Sequence, residues 1–199
     1  QDTIWSEEVL ARHRAWITNE PTGVRLEVVG ATLSHLRPGP LLLTGARFVD
    51  CSFRGTKFVD LCLNQAQLVR CDFRDADLRG AELRETEIQA CDFTNALLQG
   101  AEIVSASVEG GLWDRATITD ADLTCIRVEN ASWVQVALDR SSLVRSDWAD
   151  TRLTSSCLAG ANLRGARLER VDLRGCDTDE TCLERVQWID CLDDGISGS

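Results

Sequence analysis

The chain has 199 residues, 44% of them hydrophobic and 27% charged, which fits one folded domain or a short repeat array and excludes a disordered chain. The 32 acids against 21 bases give a formal charge of −11, which excludes a plain nucleic-acid binder, since that needs a basic footprint. No run of eighteen apolar residues is present, so no membrane-spanning helix is expected. No basic-then-apolar leader is visible, although one could already have been removed.

The acid–base toolkit is thin: no Tyr, and only His13 and His35. The nine cysteines are odd in number and most fall where a small buried residue is wanted. They read as reduced thiols of a cytoplasmic protein.

In chain order, residues 6–17 read as a helix. Ser6 can cap it, Glu7 and Glu8 follow in the first turn, and Val9, Leu10, Trp16 and Ile17 offer an apolar side. His13 reads as a packing or polar cap residue. Residues 1–25 are therefore expected to form a capping helix and linker. A repetitive body is expected over 26–192, with an imperfect start near Leu26. Arg37-Pro38-Gly39-Pro40 breaks the first coil, and regular coils are expected from about Leu41.

From Phe48 to Leu173 every fifth residue is large and apolar, 26 positions with no frame slip. Two places before each, 22 of 26 positions hold Ala, Gly, Ser, Thr or Cys; the exceptions are Leu61, Ile126, Val136 and Val171. Period five matches neither a helix at 3.6 nor a strand at 2, so amphipathic helices and alternating strands are excluded for residues 41–190. The chain must turn a corner every five residues, with one large and one small side chain inward. Four sides close a coil of twenty residues, and coils stack at ~4.8 Å. Gly, or Asn at 95 and 130, recurs two places after the large residue, which suits a corner.

Stretches such as Ala76-Asp77-Leu78-Arg79-Gly80 and Ala161-Asn162-Leu163-Arg164-Gly165 resemble the A(D/N)LXX motif of pentapeptide repeat proteins. The resemblance covers about three quarters of the chain. It implies an all-β solenoid, a right-handed quadrilateral parallel β-helix, here of about eight coils.

Residues twenty apart should share a face. One interior column reads Phe53, Phe73, Phe93, Trp113, Trp133, Leu153, Leu173, with Cys51, Cys71 and Cys91 beside it. Thiolates spaced one per coil do not converge, so no metal site is expected. The inward aromatic column is core, not a base-stacking platform. A filled solenoid offers no cavity for catalysis, and Ser141, Ser142, Ser155 and Ser156 have no His in register. No enzyme activity, cofactor or membrane binding is expected.

Glu82, Glu102 and Asp122 are expected to share one outward position on one face, and Asp72 and Asp92 to do so on the neighbouring face. Asp77 and Glu85 complete the candidate binding set. From Asp72 to Asp122 there are twelve acids against four bases; from Arg127 to Arg174, six against eight. Two readings fit this local acidity: a solubilising surface, or an anionic binding face.

The register persists through Leu183, Trp188 and Cys191, and residues 193–199 read as a flexible tail. Leu183, Trp188 and Leu192 would leave apolar area at an open edge, which predicts a homodimer through the C-terminal coils. Eight coils make a rod of roughly 38 Å, and two end to end about 75 Å, on the order of 22 base steps. The resemblance points to members that protect DNA gyrase and topoisomerase IV as non-catalytic DNA mimics, usually dimers joined at their C-termini. This chain departs from several of them: it has no loop between coils, and its C-terminal coils are not acidic. The alternative is a structural or adaptor scaffold for an unrelated protein partner.

Overall fold

The computed structural model describes residues 5–33, 41–58 and 60–196. The break expected at residues 37–40, and residues 197–199 of the expected tail, lie outside them. The body is a parallel solenoid in which residue n pairs with residue n+20 on every side. The first face carries the longest ladder. Its strands are β1 (Glu27–Val29), β3 (Arg47–Val49), β5 (Gln67–Val69), β6 (Glu87–Gln89), β7 (Ser107–Glu109), β8 (Arg127–Glu129), β9 (Asp147–Ala149), β10 (Arg167–Glu169) and β11 (Gln187–Ile189), in that spatial order. Nine strands bound eight coils. On the fourth face β2 (Leu41–Leu42) pairs with β4 (Leu61–Cys62). Elsewhere each side is a single bridge per coil, such as Ser52 to Asp72 or Lys57 to Asp77.

The period of five sets the burial pattern. Every large residue of the series from Phe48 to Leu173 is buried, and every small partner except Gly111 is buried too. The second-face column stacks ring on ring. Phe53, Phe73, Phe93, Trp113 and Trp133 have successive centroids 4.7, 4.7, 4.1 and 4.6 Å apart, with planes within 14° of parallel. Each buried ring contributes about 1.5–3 kcal/mol.

Backbone polarity is satisfied between coils. Phe73 N–H donates to Asp92 carbonyl at 2.7 Å, and Asp72 N–H to Cys51 carbonyl at 2.9 Å. The second, third and fourth faces end in tight turns, for example Ala76 N–H to Phe73 carbonyl at 3.1 Å. The residue before the last position of each such turn has positive φ, whether glycine or not: Asp75 is at 59° and Gly80 at 68°.

Helix α1 (Glu7–Ile17) starts where the sequence places it, with Ser6 Oγ accepting the Val9 N–H at 3.3 Å. Val9 and Leu10 pack on the core, but the residue buried completely is His13. The coil begins at Leu26, where β1 is already in register with β3. At the other end the last described coil is the one that holds β11. Leu183 and Trp188 are half-buried, and Leu192 is 54% exposed.

Gly111 marks the one dent in this regularity. Its φ is +86°, and a Cβ there would lie 2.3 Å from the Cys91 carbonyl oxygen; a Cβ at Gly80 would meet nothing within 4 Å. Gly111→Ala should therefore lower stability by about 2–5 kcal/mol and Gly80→Ala by only about 1–2 kcal/mol. Urea denaturation of both variants checks the order, with the slope unchanged from wild type.

Candidate functional site

The interior is filled, so chemistry is confined to the outer surface and the two ends. The bridges Cys62–Glu82–Glu102–Asp122 place those three acids in one column on the fourth face. The bridges Ser52–Asp72–Asp92 place Asp72 and Asp92 on the second face. The two columns therefore lie on opposite sides of the rod, not on neighbouring faces. Residues ten apart are half a coil apart, and half of a four-sided coil is the opposite side. Asp77 projects from the third face, in a bridge with Lys57 and Leu97. Glu85 sits at the corner between the fourth and first faces, with φ 55°. The seven candidate acids thus occupy three sides and one corner.

Their partners divide them further. On the second and third faces arginine two residues on folds back over the acid. Arg74 grips Asp72 with Nε at 2.9 Å and Nη2 at 2.7 Å. Arg79 grips Asp77 at 2.8 and 2.7 Å. These guanidiniums hold both carboxyls below the usual carboxylate range. Asp92 takes the Thr94 N–H at 2.9 Å and lies 3.6 Å from Arg74 Nε. Charge on these sides is mostly neutralised.

The fourth face and its corner with the first are different. Asn64 Nδ2 donates to Glu82 at 2.8 Å, Gln65 Nε2 to Glu85 at 3.1 Å, and Gln67 Nε2 to Glu87 at 2.9 Å. Asn130 Nδ2 donates to Glu109 at 3.0 Å, and Asp122 takes the Thr124 N–H at 3.0 Å. Amides fix these carboxylates without cancelling their charge. Glu102 alone of this column is paired, with Arg84 at 2.6 Å. Glu87, Glu109 and Glu129 on the first face adjoin the column and were not singled out from the sequence. The signal was present: they sit 5–7 residues after Glu82, Glu102 and Asp122, one face on.

A shallow depression of about 360 Å³ crosses the first face here, lined by Arg47, Gln67, Glu87, Gln89, Ser107 and Glu109. Among the described residues no group of three or more His, Cys, Asp or Glu is placed to hold a metal ion. Nor is any helix long and apolar enough to cross a membrane. The cysteines are free; hydrogen bonding to Cys71, together with burial, pushes the Cys51 thiol far up.

Comparison with known proteins fits this geometry. The family model for the pentapeptide repeat region matches residues 46–123, and the model for pentapeptide repeats (8 copies) matches 134–170 and 158–186. No curated protein matches the sequence. Among solved structures the chain is similar to HetL, a pentapeptide repeat protein involved in heterocyst differentiation regulation from the cyanobacterium Nostoc, at 22% identity over 87% of this chain and 92% of that one, TM-score 0.35. It is similar to full-length QnrB1, a plasmid-mediated fluoroquinolone resistance protein, at 15% identity over 87% and 94%, TM-score 0.40. It is also similar to a pentapeptide repeat protein from the Arabidopsis thaliana thylakoid lumen, at 22% identity over 56% and 70%, TM-score 0.39. With family models spanning about two thirds of its length and a coil of twenty residues built from inward large and small pairs, the chain belongs to the pentapeptide repeat family.

Proposed function

We propose that this protein is a non-catalytic ligand of a type II DNA topoisomerase, DNA gyrase in particular, that occupies the enzyme's DNA-binding surface and protects it from inhibitors. The observation that carries this reading is the side of the rod on which most carboxylates are held by amides and not by arginine. Over the three coils at 82–89, 102–109 and 122–129, the fourth and first faces with their shared corner hold seven acids against Arg84 and Arg127. Three coils occupy roughly 14 Å, so the net is about one negative charge per 3 Å of axis, against one per about 1.7 Å in duplex DNA. The backbone ladder fixes those charges one coil spacing apart. A basic groove shaped for a duplex would meet a rigid anionic rod, with attraction that weakens steeply in salt.

The C-terminal end supports a dimer. Trp188 and Leu183 are half-buried and Leu192 is exposed in the last described coil. Pairing two such ends hides both edges and gives a twofold rod.

Gyrase supercoiling, measured with and without a fluoroquinolone, tests the binding reading. Reversing Glu82, Glu102 and Asp122 to Lys should raise the concentration needed for protection by about tenfold or more. Reversing Asp72 and Asp77, already held by Arg74 and Arg79, should change it little. Unchanged protection in the first variant removes the acidic-face mechanism. A wild-type protein without effect on gyrase favours the adaptor scaffold.

The dimer has its own readout. Trp188→Asp should convert a species of twice 22.0 kDa into one of 22.0 kDa by light scattering. A wild-type monomer at high concentration would remove the dimer.

A further inference from the structure

Helix α1 is held to the first coil through one titratable ring. His13 is fully buried, and its Nδ1 accepts the N–H of Leu26, the residue that opens the coil, at 3.0 Å. That bond needs an unprotonated Nδ1. Nε2 is buried without a partner of hydrogen-bonding geometry. The ring stacks on Trp16, with centroids 5.6 Å apart and planes 10° from parallel. Trp16 lies beneath the Arg25 guanidinium at 5.7 Å and covers Gly45, where a Cβ would approach the indole to 2.7 Å. Arg25 in turn donates from Nε to the Gly45 carbonyl at 2.6 Å. His13, Trp16 and Arg25 form one clamp between helix and coil.

We infer that α1 is an acid-released cap: protonation of His13 removes the acceptor for the Leu26 N–H, sets a second positive charge beside Arg25, and frees the helix from the first coil.

The surroundings favour this direction. Burial first, and Arg25 second, hold the imidazole below its ordinary value; the Thr44 backbone works the other way and is the smaller influence. On α1 itself, Glu7 is engaged by Arg14 on the exposed side, and Glu8 and Arg12 are exposed. In the following segment Glu20 accepts from Thr18 Oγ1 at 2.8 Å. On the first coils Glu27 and Arg47 occupy outward positions of the first face. Arg25 is the charged group that acts on the ring.

The docked ring has the lower pKa, so the released helix binds more protons. Docking is complete above the ordinary histidine value of about 6.5. Below it the released-to-docked ratio rises about tenfold per pH unit until the depressed value is reached.

Hydrogen exchange of the α1 amides in the full chain, from pH 7.5 to 5 and corrected for intrinsic rates, tests the switch. Wild type and His35→Gln should lose α1 protection about tenfold per pH unit below about 6.5, while amides in residues 98–143 keep theirs. His13→Gln, which keeps an acceptor but cannot titrate, should give a flat profile. A flat wild-type profile, or an equal slope in His13→Gln, overturns the switch. If His13→Gln leaves α1 released at every pH, an NMR titration of the wild-type His13 ring decides. A midpoint that coincides with loss of α1 protection supports release, and titration with α1 still protected overturns it.

Discussion

The hydrogen-bonded pairing of each residue with the one twenty places on governs everything else in this molecule. It sets chemically equivalent positions about 4.8 Å apart, so each side chain's nearest neighbours are its counterparts in the coils above and below. Inside, this turns a sequence column into a physical stack: Phe53 to Trp133 form a near-parallel pile with centroids 4.1–4.7 Å apart. The stack outweighs a polar penalty. The indole N–H groups of Trp113 and Trp133 are buried without an acceptor, at about 1–3 kcal/mol each. Their rings still bury more area than any smaller residue that would avoid it.

Outside, the same pairing sets like charges opposite one another, which costs about 0.2–1 kcal/mol per pair. The chain answers in two ways. Arginine one coil away or two residues on pairs with part of the acids, as in Asp50–Arg70, Asp120–Arg140, Asp150–Arg170 and Asp72–Arg74. On one side only, a row of amides from Asn64, Gln65 and Gln67 orders the acids and leaves them charged. A surface meant only for solubility has no need of that distinction, because paired acids and arginines are as well hydrated. The corners show a similar balance. Asp75, Glu85 and Asp120 hold a left-handed conformation that glycine adopts freely, and each donates its N–H to the next coil, as Asp75 does to Thr94 carbonyl at 3.1 Å.

The body of the fold was legible because its signal is repeated 26 times: large residues from Phe48 to Leu173 and small ones two places earlier give side, depth and register at once. Counting by twenty also assigns Glu82, Glu102 and Asp122 to one column correctly. Placing Asp72 and Asp92 beside that column failed because ten residues are two corners, not one. Which acids are gripped by arginine was not legible, since Asp72 and Asp92 occupy equivalent positions, yet Arg74 folds onto Asp72 and reaches Asp92 only at 3.6 Å while Thr94 N–H donates to Asp92. His13 was hidden for another reason. A helix pattern reads apolar residues as the buried side, and here Trp16 is 39% exposed while the polar ring beside it is sealed. Gly111 looked like any small inward residue; its φ and its contact with Cys91 arise only once coils are stacked.

The two ends are built on different terms, and this shapes what the rod can present. The N-terminal end is closed by α1 through a ring that needs to be neutral. In the last described coil Trp188 is only half-buried. In the proposed pair joined through the C-terminal coils, the centre of each charged stretch, near Glu102, lies about four coils from the joint. Two such distances and one coil spacing separate the stretches by roughly 45 Å, about 13 base steps at 3.4 Å. From Arg127 to Arg174 the outer surface carries eight bases against six acids, but residues 175–194, next to the joint, carry seven acids against Arg185, so the expectation that the C-terminal coils are not acidic holds only as far as Arg174. Such a rod does not imitate a uniform duplex along its length. It offers an anionic stretch in the middle coils, a neutral-to-basic stretch from Arg127 to Arg174 and a second anionic stretch in residues 175–194, so charge alternates along the axis. A partner that recognises such a rod by charge has to match that alternation, with basic surface opposite residues 82–129 and again opposite residues 175–194.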